Sequence, residues 1–251
     1  MNRIIPLKAI GINFGVDRIT NSVAYFLGGL LAADETVEKN NRKFWVAPFR
    51  YNSTYATETQ INLHYDSVKK ASKNLRVQIY TRDTIVNQKI DSGKFSRMRG
   101  FGAYFESPLE LRLADKYQDI LSILKSSSEE IQRCFVVGLF DGRSSIDCNE
   151  SEGILRFLSL DVVNPLALDM FKDVLGRLSV KFNVNEARER LEGGAPRKVQ
   201  LRVKDVEDFM GRFGLISDKK VEKIRNVLSS EKFEIIEQNE VLPGVKILRR
   251  N

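Results

Sequence analysis

The sequence predicts an α+β protein built from two copies of one unit, and three observations carry that prediction. An apolar, glycine-bearing segment, Tyr25-Phe-Leu-Gly-Gly-Leu-Leu-Ala-Ala-Asp34-Glu35, returns as Cys134-Phe-Val-Val-Gly-Leu-Phe-Asp-Gly-Arg143-Ser144, at an offset of 109 residues when Gly29 is set on Gly138. Each occurrence is followed, in the same order, by strand-like runs, a longer amphipathic helix, more strands and a closing helix. Between the copies lies Lys125-Ser-Ser-Ser128, a polar break that offers an N-cap to the next helix, with Glu130 in its first turn. Repetition of one structural unit is the simplest account, with halves expected at 1–127 and 128–251.

The elements follow in order. In the first copy, after the apolar helix, Phe44–Tyr51 and Gln60–Tyr65 read as strands, Asp66–Leu75 as a helix, Arg76–Arg82 and Gly100–Phe105 as strands, and Leu109–Leu124 as a helix. In the second, Ile146–Cys148 and Leu155–Val162 read as strands, and Pro165 suits the first turn of a helix over Asn164–Val180. Lys181–Val184 and Val199–Val203 follow as strands around a turn marked by Gly193-Gly194 and Pro196, and Asp205–Phe213 and Asp218–Leu228 close the unit as helices. The tail, Lys232–Asn251, carries charge with a few β-branched residues and reads either as a terminal strand or as a partly ordered extension.

Composition narrows the chemistry. In 251 residues, 42% are hydrophobic and 29% charged, the ordinary globular mix, which excludes a wholly disordered or fibrous chain. The longest apolar stretch, Val23–Ala33, falls well short of the ~20 residues of a membrane helix, and no compact apolar leader with a cleavage site opens the chain. No membrane partner is expected. Two cysteines are too few for a disulfide framework or a four-cysteine zinc site, so the expected home is an intracellular reducing compartment, cytoplasm or organelle matrix. The single histidine, His64, excludes any mechanism needing two imidazoles, and chemistry must fall to carboxylates, lysines or metals. The net charge of +7 sits entirely in residues 1–127, where Lys and Arg outnumber Asp and Glu, while residues 128–251 are balanced. Such a surplus suits a polyanionic partner, and a solvated charged face carries it equally well.

Gly29 with Ala33, and Gly138 with Gly142, stand four apart, so each apolar helix carries a stripe of very small side chains. Helices with such stripes approach closely, and a glycine in a helix interior costs about 1 kcal/mol against alanine, so its use in both copies has a purpose. The expectation is a backbone-to-backbone contact between the two helices, with Gly29, Ala33, Gly138 and Gly142 in the interface and Asp34 at the foot of the pair. At that offset the counterpart of Asp34 is Arg143, with Asp141 two residues before it, and the repeat departs from itself at this position.

Leu27-Gly-Gly-Leu-Leu-Ala-Ala-Asp-Glu35 and Val136-Val-Gly-Leu-Phe-Asp-Gly-Arg-Ser144 resemble the paired motifs of the LAGLIDADG homing endonucleases, in the form that holds both motifs in one chain. Asp205–Lys220 also looks like the closing helix of the second half in such proteins. The resemblance covers most of the chain. It implies two αββαββα halves whose antiparallel sheets form a saddle on double-stranded DNA, with the motif helices at the central interface and the protein acting as a monomer. It further implies that Asp34 binds a divalent cation, Mg²⁺ or else Mn²⁺ or Ca²⁺, for phosphodiester hydrolysis. Such ions take hard oxygen ligands, keep waters and stabilise developing negative charge.

Arg143 departs from the pattern, since a guanidinium cannot ligate a cation, although it can bind a phosphate. Three consequences stay open. One strand is cut efficiently and the other poorly; or a neighbouring carboxylate, Asp141, Asp147 or Glu35, serves the metal; or the scaffold binds nucleic acid without cutting it, as a regulator or intron maturase. The resemblance adds Lys204, just before the closing helix, as a lysine near the scissile phosphate. Expected catalytic residues are therefore Asp34, Lys204 and Arg143, and expected metal ligands Asp34, Glu35 and Asp141.

Strand alternation supplies candidate DNA contacts. Arg76, Gln78, Tyr80 and Arg82 form one face of a strand whose other face is Val77, Ile79 and Thr81; Lys198, Gln200, Arg202 and Lys204 stand opposite Val199, Leu201 and Val203; and Gln60, Asn62 and His64 oppose Ile61, Leu63 and Tyr65. Amides pair with adenine and arginine with guanine in the major groove. An ordinary half-solvated sheet alternates in the same way. Lys94, Arg97 and Arg99, in the basic stretch from Asn87 to Arg99, suit a ribbon tip gripping phosphates.

Overall fold

A computed structural model describes residues 19–33, 35–39, 42–46, 77–81, 101–106, 117–162, 165–186 and 199–251. The first helix, α1 (Asn21–Ala33), contains no charged residue and leads into β1 (Glu35–Lys39) and β2 (Arg42–Val46). After β3 (Val77–Thr81), β4 (Phe101–Glu106) and α2 (Tyr117–Ser126) comes α3 (Glu129–Arg143), the second glycine-bearing helix. The Ser128 hydroxyl accepts from the Ile131 amide at 3.3 Å, with Glu129 and Glu130 in the first turn, so the polar break caps α3 as its sequence demands. β5 (Ser145–Asn149), β6 (Ile154–Val162), α4 (Pro165–Arg177), β7 (Phe182–Glu186) and β8 (Val199–Val203) follow, then α5 (Val206–Arg212), α6 (Asp218–Leu228), β9 (Phe233–Gln238) and β10 (Val245–Arg250).

The architecture is α+β, with antiparallel sheets. One four-stranded sheet runs β1-β2-β4-β3 and another β5-β6-β8-β7, so the first strand after each glycine-bearing helix lies at an edge and the last strand lies third in both. In the second sheet the helix-facing side is built by Leu158, Leu160, Leu201 and Val203, all fully buried. One hydrophobic cluster runs from Val23, Tyr25, Leu27 and Leu31 of α1 through Phe135 and Phe140 of α3 to Phe171 of α4, Phe209 of α5 and Ile247 of β10. The ring of Phe140 meets that of Phe209 edge-on at 5.1 Å.

The two glycine-bearing helices pack backbone to backbone, through Gly28 and Gly138. A Cβ on Gly28 would lie 2.0 Å from the Phe135 carbonyl oxygen, and a Cβ on Gly138 would lie 1.9 Å from that of Tyr25. The contact is reciprocal at an offset of 110 residues rather than 109. The same offset relates the last residues of the helices, Ala33 and Arg143, and the first residues of the following strands, Glu35 and Ser145. Gly138 stands in the contact as expected, Gly28 joins it from α1, and Gly29 beside it is also buried.

The tail is not an extension but a hairpin. β9 and β10 pair antiparallel, and Leu215 exchanges both backbone hydrogen bonds with Lys246, at 3.1 and 2.8 Å, which docks the hairpin on the loop between α5 and α6. Gly214 in that loop has φ +65°, and a Cβ there would meet the Lys246 carbonyl at 2.5 Å, so both conformation and space require glycine. β1 is not among the expected strands, while β5 extends the expected Ile146–Cys148 by one residue at each end. The sequence of β1, Glu-Thr-Val-Glu-Lys, is too polar to stand out from a loop. The strand expected at 60–65, the helix at 66–75, the stretch 87–99 and the turn at 193–196 lie outside the described residues.

Candidate nucleic-acid interface and helix-end centre

The side of the second sheet facing away from the helices is set by strand register. Ser145, Ser159, Arg202 and Asn183 form one cross-strand row, beginning at the residue that follows the end of α3 by two positions; Asp161, Gln200 and Asn185 form the next, and Asp147 pairs with Phe157. Arg202 is held on two sides. Its guanidinium lies 4.9 Å from the centroid of the Phe157 ring, and its Nε and Nη2 donate to Gln200 Oε1 at 3.1 and 2.7 Å. An arginine held between an aromatic ring and an amide has already lost much of its rotamer freedom, the state in which a planar fork recognises a base edge or phosphate. Ser145 and Ser159 share a hydrogen bond between hydroxyls at 2.9 Å. Asn183 Oδ1 is buried and accepts no hydrogen bond among the described residues.

Gln200 and Arg202 therefore stand where alternation placed them, and Leu201 and Val203 stand inward. The face is mixed rather than uniformly basic, because Asp147 and Asp161, both exposed, share it. In the first sheet Gln78 and Tyr80 lie on one face of β3, in register with Tyr104 and Gly102. Lys204 is exposed just beyond β8, where its amide donates to the Lys181 carbonyl at 3.0 Å, immediately before Asp205, the N-cap of α5. Gln60, Asn62, His64, Arg76, Arg82, Lys94, Arg97, Arg99 and Lys198 lie outside the described residues. Sequence reading missed Phe157, Asn183 and Asn185, since only the register brings them beside Arg202.

At the end of α3 the structure gathers a buried polar knot. Asp141 is 2% exposed; one carboxylate oxygen accepts from the Tyr25 hydroxyl at 2.5 Å and the other from the amides of Ile216 and Ser217 at 3.0 and 2.9 Å. A carboxylate accepting amides just before α6 acts on that helix as an N-terminal anion. Lys220 of α6 completes the knot: its ammonium donates to the carbonyls of Phe140 and Asp141 at 3.0 and 2.8 Å and to Ser144 Oγ at 3.0 Å. Burial lowers the Lys220 pKa to about 8, against the opposing pull of Asp141. The Ser144 hydroxyl in turn donates to the Phe140 carbonyl.

This donor set does not fit a divalent cation. Its hard oxygens, two carbonyls and a hydroxyl, already surround an ammonium, and Asp141, expected among the metal ligands, is engaged by three protein donors. The role visible for Asp141 is to tie α1, α3 and α6 together. Asp34 lies outside the described residues; Glu35 opens β1, in register with Val46, and Ala33, Gly142 and Arg143 close their helices. Among the described residues, no group of three His, Cys, Asp or Glu side chains is placed to hold a metal, and no helix is long and apolar enough to cross a membrane.

No protein-family model matches the chain, and comparison with curated proteins finds no match. Among solved structures the chain is similar to mesophilic variants of the homing endonuclease I-DmoI, with 14% identity over 77% of this chain and 89% of that one, at a TM-score of 0.44. It is similar also to I-DmoI in complex with DNA and Mn, with 14% identity over 83% of this chain and 97% of that one, at a TM-score of 0.41. A third likeness is to full-length DUF199/WhiA from Thermatoga maritima, with 13% identity over 94% of this chain and 69% of that one, at a TM-score of 0.41. Likenesses of this degree assign no role to any residue.

Proposed function

We propose that the chain binds double-stranded DNA along the outward faces of its two four-stranded sheets and acts as a strand-biased, metal-dependent endonuclease. The observation that carries the binding is Arg202, held between Phe157 and Gln200 in a row of hydroxyl and amide side chains. Such a row offers donors and acceptors to base edges, and its arginine is fixed before DNA arrives. Two halves, 1–127 and 128–251, meet through α1 and α3, and their unlike sequences suit a long, only roughly symmetric site read by a monomer.

Hydrolysis is assigned to the α1 end, where Asp34 follows the helix. A divalent cation held there would supply Lewis-acid stabilisation of the phosphate. Lys204 and Arg143 are proposed as phosphate contacts. The test is nicking of supercoiled DNA with Mg²⁺ by the wild type and by Asp34→Asn. Wild-type nicking that the substitution abolishes supports the assignment, and unchanged nicking removes Asp34 from the mechanism. A second reading, a nucleic-acid-binding protein that does not cut, is favoured by the end of α3, where the local carboxylate is committed to the fold. Salt-dependent binding without Mg²⁺-dependent nicking selects it.

A further inference from the structure

We infer that the C-terminal half carries a resident cation of its own, the Lys220 ammonium, lodged on the last turn of α3 where a divalent ion would have to sit, so that this half takes no metal. The inference rests on the proposed reading only in locating where such an ion belongs, at the foot of a glycine-bearing helix.

The reciprocal contact of Gly28 with Phe135 and of Gly138 with Tyr25 sets the offset at 110, which places Ser144, not Arg143, where the first half has Asp34. Ser144 is 7% exposed and cannot supply the negative charge of an aspartate. Its hydroxyl accepts from Lys220, whose other two ammonium protons go to the Phe140 and Asp141 carbonyls. Both carbonyls lie in the last turn of a helix, where the backbone presents partial negative charge that attracts a cation, and that of Phe140 also accepts from the amide and hydroxyl of Ser144. All three protons of the ammonium are used within the protein. The Asp141 carboxylate takes its own three donors from α1 and from the start of α6. A metal ion at this spot must displace Lys220, lose the ligand that an acid at 144 would provide, and face a like charge within the same oxygen cage.

Terbium titration of the full chain tests this, because the Tyr25 hydroxyl sits on Asp141 and an ion at the end of α3 would lie beside its ring and be sensitised by it. In the wild type, the inference expects terbium emission that Tyr25→Phe leaves unchanged. Emission lost on that substitution overturns it, whatever any other variant does. Ser144→Asp combined with Lys220→Met restores an acid and removes the ammonium, and it is expected to gain Tyr25-dependent emission with apparent affinity tighter by about tenfold. A double variant that melts cooperatively yet gains none overturns the inference. Nicking by Asp34→Asn reads the other centre: if it equals the wild type, Asp34 leaves the mechanism while the terbium result at α3 stands.

Discussion

Gly28 and Gly138 make the same contact in exchange, each lying against the carbonyl of the residue three positions before the other: Gly28 on Phe135, Gly138 on Tyr25. At 2.0 and 1.9 Å from a carbonyl oxygen, a methyl group at either site has no room, and a helix backbone cannot give way as a side chain does. Gly138→Ala is expected to lower stability by about 3 kcal/mol or more. Gly176→Ala in α4, where nothing lies within 4 Å, is expected to leave it unchanged or raise it by up to about 1 kcal/mol. Urea midpoints of the two variants make the comparison.

Tyr25→Phe removes one donor from a buried carboxylate and is expected to destabilise by about 1–3 kcal/mol. Asp141→Ala strands the amides of Ile216 and Ser217 as well, and its effect is the larger. Because both changes act on one bond, a double-mutant cycle is expected to give coupling of about 0.5–3 kcal/mol, and a coupling of zero would show that the hydroxyl and the carboxylate act independently.

Lys220 gives the stability a pH dependence of defined sign. Its pKa is about 8 in the fold against an ordinary 10.5, so between these values the unfolded chain holds a proton that the folded chain has released. Its unfavourable contribution is complete below pH 8 and is relieved as the pH rises toward 10.5. Relative to Lys220→Met, the wild type is expected to gain up to about 1.4 kcal/mol per pH unit across that window. Melting curves of both proteins from pH 7 to 10 check it, and a gap that narrows in the opposite direction would contradict the burial of the ammonium.

Arg202→Ala and Phe157→Ala separate charge from shelf. The first is expected to weaken duplex DNA binding and make its logarithmic salt slope shallower by about 1. The second keeps the charge and is expected to weaken binding with the slope preserved. If neither variant alters DNA affinity, the outward face of the second sheet is not the binding surface.

The two thiols differ sharply in setting. Cys134 is buried in α3, and desolvation, aided by Glu130, pushes its pKa up to about 12, whereas Cys148 on β5 is partly exposed. A thiol reagent at neutral pH is expected to leave Cys134 unmodified in the native protein, with both thiols reacting in denaturant.

The order of elements in the second half was legible because each signal is local: Ser128 before a charged first turn, Pro165 at a helix start, and polar and apolar residues alternating through Val199–Val203. The pairing of α1 with α3 was legible in kind, since glycines in both helices announce close approach, but not in register. Gly28-Gly29 offers two adjacent glycines, and the sequence does not say how either meets the opposing helix. Lys220 was not legible at all. In sequence it is one of two lysines early in an amphipathic helix, 76 residues from Ser144, and its place on the α3 carbonyls comes from how α6 folds back. Asp141 read as a spare acid for the same reason, because the amides that engage it belong to a distant loop.

Asn21, the first residue of α1, donates to the Val241 carbonyl at 2.7 Å, across 220 residues. During synthesis, then, α1 waits for its partners: α3 emerges about a hundred residues after it, and the anchor at Val241 comes 220 residues after Asn21. A segment this apolar is exposed for that whole interval, and closing such distant contacts is slow. Yield in the cell should therefore depend on whatever shields α1 while the chain is still growing.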